Sequence, residues 1–202
     1  KKFSYDDNVF LNIGENNVIW EYVTINPGTL DGGGKTVIGS NNLIMAYAHV
    51  AHDCIIGNNC VMANAATLGG HVIIEDNAVI GGLSAVHQFT RLGRLSIVGG
   101  CSKVVQDVLP FSMCDGHPAA AININTVGLK RAQVSSERIL NIKKAFRILF
   151  RLGLSRAHAL EKIVNEIETC PEIEHLIFFA KTSKRGLCSA PNGSSAEPAD
   201  EA

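Results

Sequence analysis

From Ile38 onward an aliphatic residue recurs every six positions: Ile38, Ile44, Val50, Ile56, Met62, Leu68, Ile74, Ile80, Val86, Leu92, Val98 and Val104. The same phase appears earlier at Ile13, Ile19 and Ile25. A helix would need a period of 3.6 and a pleated strand a period of 2, so a period of six fits neither. Several hexads open as aliphatic-Gly, among them Ile13-Gly14, Ile38-Gly39, Ile56-Gly57 and Ile80-Gly81, and Asn and Asp lie near the turns. That pattern predicts a mainly β protein, a parallel β-helix of short strands. Each hexad forms one face, three hexads make one 18-residue coil, and the aliphatic side chain points into the prism. The interval Ile25–Ile38 is 13, one residue more than two hexads, and the stretch Gly28-Thr29-Leu30-Asp31-Gly32-Gly33-Gly34-Lys35-Thr36 reads as the loop that absorbs it at a corner.

The repeat stops near Leu109-Pro110. Residues 1–109 are therefore assigned to the β-helix and 110–132 to a linker and substrate-contacting segment. A small C-terminal α-helical domain covers 133–187, and a disordered tail 188–202. Ser135-Ser136-Glu137 offers an N-cap before a helix over Arg138–Arg151, and Ser155 can cap a second helix running toward Thr169. Pro171 stands where a third can start.

The 18-residue coil also states which residues are neighbours. His52, Gly70 and Gln88 occupy the same slot of successive coils, so they stack at the strand spacing of ~4.8 Å. His71 and His87 flank that column, and His49 lies across a corner from His52. Three readings follow from four histidines on one stretch: solvated turn residues, ligands for a zinc-like ion, or acid–base catalysis. In the last, a neutral imidazole takes the proton of a hydroxyl attacking an acyl carbon, while Gly70, lacking a side chain, lets its N–H approach the oxyanion.

Composition narrows the class. The chain has 202 residues, 46% hydrophobic and 18% charged, which describes a globular protein. Eighteen Lys and Arg against 19 Asp and Glu leave a net charge of −1 and exclude a basic surface over the whole chain, so no nucleic-acid partner is expected. No apolar run reaches the roughly 20 residues of a membrane span, no secretory signal opens the sequence, and the first residue is not Met. Six irregularly spaced cysteines read as reduced thiols, consistent with a cytoplasmic protein. Gly34-Lys35-Thr36 is not a phosphate loop, because Thr29 stands where that motif needs Gly. On α-helical spacing, Lys143, Arg147 and Arg151, with Lys144 beside them, make a basic face suited to an acidic partner.

Several motifs carry a resemblance. They are Ala51-His52-Asp53-Cys54, Gly69-Gly70-His71-Val72, Val86-His87-Gln88-Phe89, Val98-Gly99-Gly100-Cys101-Ser102 and Asn125-Thr126-Val127-Gly128-Leu129-Lys130-Arg131. In this order they closely resemble the UDP-N-acetylglucosamine O-acyltransferases of lipid A synthesis. The resemblance implies a homotrimer of left-handed parallel β-helices with active sites between subunits. It implies transfer of an acyl group, usually 3-hydroxylated, from acyl carrier protein to the 3-hydroxyl of UDP-N-acetylglucosamine, without a metal or other cofactor. Carried over, His52 matches the general base, Asp53 the acid that works with it, and Gly70 the backbone oxyanion donor. His49, His71, His87 and Gln88 match residues lining the cleft, Lys2 a substrate-side lysine, and Asn125 and Arg131 residues contacting the nucleotide sugar. Gly100 matches the position that lets a long acyl chain pass, and the basic face with Lys143, Lys144, Arg147 and Arg151 matches the site that docks acyl carrier protein. The likeness begins partway into the family's β-helix, which implies further N-terminal coils. The alternatives are another hexapeptide-repeat N-acyl- or acetyltransferase, or a metal-dependent β-helix like the gamma-class carbonic anhydrases, or a scaffold.

Overall fold

The computed structural model describes residues 8–190. Short parallel strands wind into a three-faced prism whose sheets contain five, seven and five strands, a left-handed β-helix. From Lys35–Ile38 to Lys103–Val104 each strand pairs with those 18 residues away, as in Val37↔Ile55, Leu43↔Val61 and His49↔Thr67. All twelve aliphatic residues from Ile38 to Val104 are buried. Leu68 is typical, stacked between Val50 and Val86 on neighbouring coils with no solvent exposure. Leu68→Ala is expected to lower the unfolding free energy by about 2–5 kcal/mol, measured by urea denaturation.

A second buried ladder runs two residues before the first. Ala48, Cys54, Cys60, Ala66, Val72, Ala78, Ser84, Thr90, Ser96 and Ser102 are all buried. They are mostly small because they sit beside the corners, where the prism narrows. Several polar members are satisfied by carbonyls of the next coil, as in Cys54 Sγ to Gly69 O and Ser84 Oγ to Gly99 O.

The corners have a signature of their own. A non-glycine residue with φ near +60° recurs every six positions, from Asn41 through Tyr47, Asp53, Asn59, Ala65 and His71 to Cys101. Left-handed backbone costs an L-residue roughly 1–2 kcal/mol, offset here by a repeated bond to the coil beneath: Ala65 N–H to Ala46 O, His71 N–H to His52 O, Phe89 N–H to Gly70 O. One corner carries Asn41, Asn59 and Asn77, another Tyr47, Ala65 and Leu83, and the third Asp53, His71 and Phe89.

Ile13 pairs with Ile38, so the step from Ile25 to Ile38 spans one face rather than two. The loop there holds seven extra residues instead of one, and a 3-10 turn occupies Leu30–Gly32. The segment read as a linker, 110–132, is structured: Ser112–Gly116 continues the seven-stranded sheet in parallel with Ile97–Val98, turns back as Ala119–Ile124, and leads into a short helix, α1 (Thr126–Arg131). The expected tail begins too early. Cys188 N–H donates to Asp107 O and Ser189 O accepts from Ala121 N–H; the rest of that tail from residue 191 lies outside the described residues.

Three longer helices follow: α2 (Ser136–Arg151), α3 (Arg156–Glu166) and α4 (Pro171–Thr182). Ser135 and Ser155 cap α2 and α3, accepting from Arg138 N–H and His158 N–H, and Pro171 opens α4. The second helix stops at Glu166, short of Thr169. Polar and ring contacts fasten α4 to the prism. His175 Nε2 lies 2.7 Å from Glu75 Oε2, the Arg91 guanidinium stacks 4.1 Å over the Phe179 ring, and Ser183 Oγ donates to Asp107 Oδ2 at 2.8 Å. Among the described residues no helix is long and apolar enough to cross a membrane.

Candidate active site

Register alone brings the expected column together. His52 and Gly70 stand on adjacent coils, so closely that a Cβ on Gly70 would lie 2.6 Å from His52 Cε1 and 2.8 Å from its Nε2. No L-residue with a side chain fits there without displacing the imidazole. Among the described residues the Gly70 N–H has no hydrogen-bond partner, unlike Gly69 N–H and His71 N–H on either side.

The other edge of His52 is fixed. Its Nδ1 lies 2.7 Å from Asp53 Oδ2; the Asp53 side chain is 1% exposed and that of His52 34%. Asp53 Oδ1 accepts from Thr29 N–H and Oδ2 from Thr29 Oγ1, both at 2.7 Å, and Asp53 N–H donates to Thr36 Oγ1. His71 Nε2 is 3.7 Å from the same Oδ2. His71 meets His52 edge to face at 5.2 Å between ring centroids and stacks flat on Phe89 at 4.4 Å.

Burial pushes the Asp53 carboxyl pKa upward, but the Thr29 hydroxyl, the Thr29 N–H, His52 and the charge of His71 together outweigh it. The net value lies below the ordinary carboxylate range. Asp53 is thus an anion held against His52. A depressed folded-state pKa contributes stability above the unfolded value, roughly 3.9, and that contribution is lost as pH falls through the folded value. Asp53→Asn is therefore expected to flatten the decline of Tm with acidification below about pH 4, read by thermal scans across pH.

The nearest ligating atoms of His52, Asp53 and His71 all lie within 4.8 Å of one another, the spacing of a possible metal site. Both carboxylate oxygens of Asp53 are already hydrogen-bonded, and Oδ2 takes His52 Nδ1 and Thr29 Oγ1 together. A cation there would have to displace those bonds, so this donor set fits a proton-transfer pair better than a metal centre.

Residues 107–188 match the family described as UDP-N-acetylglucosamine O-acyltransferase, domain 2, and residues 35–70 the bacterial transferase hexapeptide repeats. Acyl-[acyl-carrier-protein]–UDP-N-acetylglucosamine O-acyltransferase of Thermodesulfovibrio yellowstonii is 53% identical over 87% of this chain and 68% of its own length. That of Alkalilimnicola ehrlichii is 47% identical over 88% and 69%. The chain belongs to the UDP-N-acetylglucosamine O-acyltransferase family. Among solved structures of that family, the Francisella novicida enzyme superposes with a TM-score of 0.89 at 34% identity, covering 99% of this chain and 73% of that one. The Arabidopsis enzyme gives 0.85 at 35%, covering 92% and 68%.

The remaining positions expected of an acyltransferase of this family fall in different parts of the chain. His49, His71, His87 and Gln88 lie on or beside the column. His49 Nδ1 is 2.7 Å from Thr24 Oγ1, His87 Nδ1 is 3.1 Å from Gln88 O, and Gln88 is exposed. Gly100 is open: a Cβ there would meet only Gly82 O, at ordinary contact distance. Asn125 has a structural place of its own. It is buried at the N-cap of α1, its Oδ1 accepting from Gly128 N–H and its Nδ2 donating to Leu95 O. Each end of its amide makes one bond inside the chain, so it positions α1 and the exposed Arg131 at that helix's end.

On α2, Lys143, Lys144 and Arg147 are exposed, whereas the Arg151 guanidinium donates to Ile122 O and ties the helix to the hairpin. Lys144 and Arg147 share a shallow groove with Lys162 of α3. Lys2 lies outside the described residues. Sequence reasoning missed Thr29, Thr36 and Phe89. Thr29 carries the clearest available signal, because it sits in a long break of the hexad period.

Proposed function

We propose that this chain transfers a fatty acyl group, usually 3-hydroxylated, from acyl carrier protein to the 3-hydroxyl of UDP-N-acetylglucosamine, the first step of lipid A synthesis. The observation that carries the reading is the imidazole of His52 held between a buried carboxylate at Nδ1 and the Gly70 backbone beside Nε2. With Nδ1–H donated to Asp53, the lone pair of Nε2 faces outward and takes the proton of the sugar hydroxyl. The oxygen attacks the thioester carbonyl, and the Gly70 N–H stabilises the resulting oxyanion. As the tetrahedral species collapses the C–S bond breaks, and the imidazolium returns its proton to the departing thiolate. Asp53 stabilises the imidazolium while it exists, and no covalent enzyme intermediate is required.

Other parts of the chain support the partners this reaction needs. Lys143, Lys144 and Arg147 present a cationic surface to an acidic carrier protein. Arg131 and His49 offer donors to the nucleotide sugar, and the open corner at Gly100 leaves room for an acyl tail. A homotrimer accounts for exposed apolar side chains on the prism, including Tyr47, Ile55, Ile73, Leu83 and Phe89. The free cysteines suit a cytoplasmic setting. The test is an assay of purified protein with UDP-N-acetylglucosamine, a UDP-linked amino sugar, and a panel of carrier-protein and CoA thioesters. The expected product is the 3-O-acyl sugar nucleotide from the carrier-protein donor; N-acylation, exclusive use of CoA donors, or no product would overturn the reading.

A further inference from the structure

A coil that breaks the hexad period lies directly beneath Asp53. Elsewhere along this corner the left-handed residue donates its N–H to the carbonyl of the coil below, as His71 does to His52 O and Phe89 to Gly70 O. At Asp53 that carbonyl is replaced by the side chain of Thr36, because the chain below has left the prism as the Gly28–Gly34 loop. The loop folds back over the carboxylate. Thr29 supplies N–H to Oδ1 and Oγ1 to Oδ2, each at 2.7 Å. Gly32 packs so closely on the same group that a Cβ would fall 2.2 Å from Asp53 Cγ. The remaining neighbours of the carboxylate are His52 and His71.

A carboxylate on a free corner could rotate about χ2, and either oxygen or neither could meet the imidazole. Here two donors from one residue take one oxygen each, which fixes the carboxylate plane. We propose that Thr29, presented by this loop, is a positioning residue for the catalytic pair: it aims Asp53 Oδ2 at His52 Nδ1 and so holds the Nε2 lone pair toward the sugar hydroxyl. The seven-residue insertion is thus part of the active site rather than a tolerated irregularity. Which tautomer an imidazole adopts is set by the hydrogen bond its other nitrogen makes, so a group that orients this pair acts on the proton-transfer step. The inference rests on the acyl-transfer reading for its catalytic consequence and on geometry alone for its structural one.

Thr29→Val removes one of the two donors while keeping size and backbone. It is expected to lower kcat by up to about 100-fold with KM for both substrates unchanged, and Thr29→Ser is expected to restore kcat. In an Asp53→Asn background the same Thr29→Val change is expected to cost nothing further, since its effect passes through the carboxylate. Gly32→Ala, which must push the carboxylate aside, is expected to act in the same direction. In 15N-histidine-labelled protein without substrate, His52 is expected to show the Nδ1–H tautomer in the parent and a mixture in Thr29→Val. Full kcat in Thr29→Val, an equal loss in both backgrounds, failure of Ser to rescue, or an unchanged tautomer would each overturn the proposal. A parent protein that transfers no acyl group, yet shows the tautomer change, would overturn the acyl-transfer reading and leave the positioning role standing.

Discussion

Replacing His52 by alanine is expected to reduce kcat by about a thousand-fold, within the range attributed to a positioned general base, while KM for UDP-N-acetylglucosamine moves only a few-fold. Without Nε2 the sugar hydroxyl must lose its proton to water, and the thiolate must leave without the proton the imidazolium returns. What remains is the contribution of holding the two substrates together and of the Gly70 N–H. The fold should not notice. The His52 side chain is 34% exposed, and Asp53 keeps both Thr29 hydrogen bonds when the ring is gone. Steady-state kinetics with a carrier-protein thioester, paired with a thermal scan and oligomer sizing, separates these effects. A kcat within ten-fold of the parent at unchanged Tm would remove His52 from the base role. A lost Tm or lost assembly would instead assign it a structural one.

The register behind this prediction is legible in the sequence, because a hexad repeat is a ruler. Once the period is known, i and i+18 are neighbours, and His52 and Gly70 must meet. The aliphatic ladder was equally legible, since a prism interior selects strongly for Ile, Leu and Val. Its companion two residues earlier was not. Ala, Cys, Ser and Thr share that slot, their common property is small volume, and hydrophobic periodicity does not detect volume. The left-handed corners escaped for a similar reason: Tyr, Leu, Phe and His stand at φ near +60°, imposed by the coil geometry against their local preference.

The break at residues 25–38 was visible, but counting it as two hexads plus one hid the seven residues that fold over Asp53. A loop's length is in the sequence; where it folds back is a tertiary fact. Asn125 shows the opposite limit. Its motif drew attention to it as a nucleotide contact and was silent on its burial and two internal hydrogen bonds, which make it the cap on which α1 is built.

Gly70 tests the same column from the other side. Gly70→Ala is expected to lower kcat by about 100- to 1,000-fold, the scale of losing an oxyanion donor, with little change in Tm. The backbone at Gly70 is not in the left-handed region, so alanine carries no conformational penalty there. The cost is contact. The new methyl would overlap His52 Cε1 and Nε2, at 2.6 and 2.8 Å, and the ring is the only partner free to move. Because that ring is partly exposed it can swing away, which relieves the clash at modest cost in stability but breaks the 2.7 Å contact with Asp53 and covers the N–H that meets the oxyanion. One methyl group therefore disables the base and the oxyanion donor together. A His52→Ala/Gly70→Ala double variant should fall well short of the product of the two single losses, since His52→Ala has already removed what the methyl displaces. Kinetics of the four proteins at matched Tm decides it: multiplicative losses would mean that Gly70 acts independently of the imidazole, and a fully active Gly70→Ala would mean that no oxyanion forms beside it.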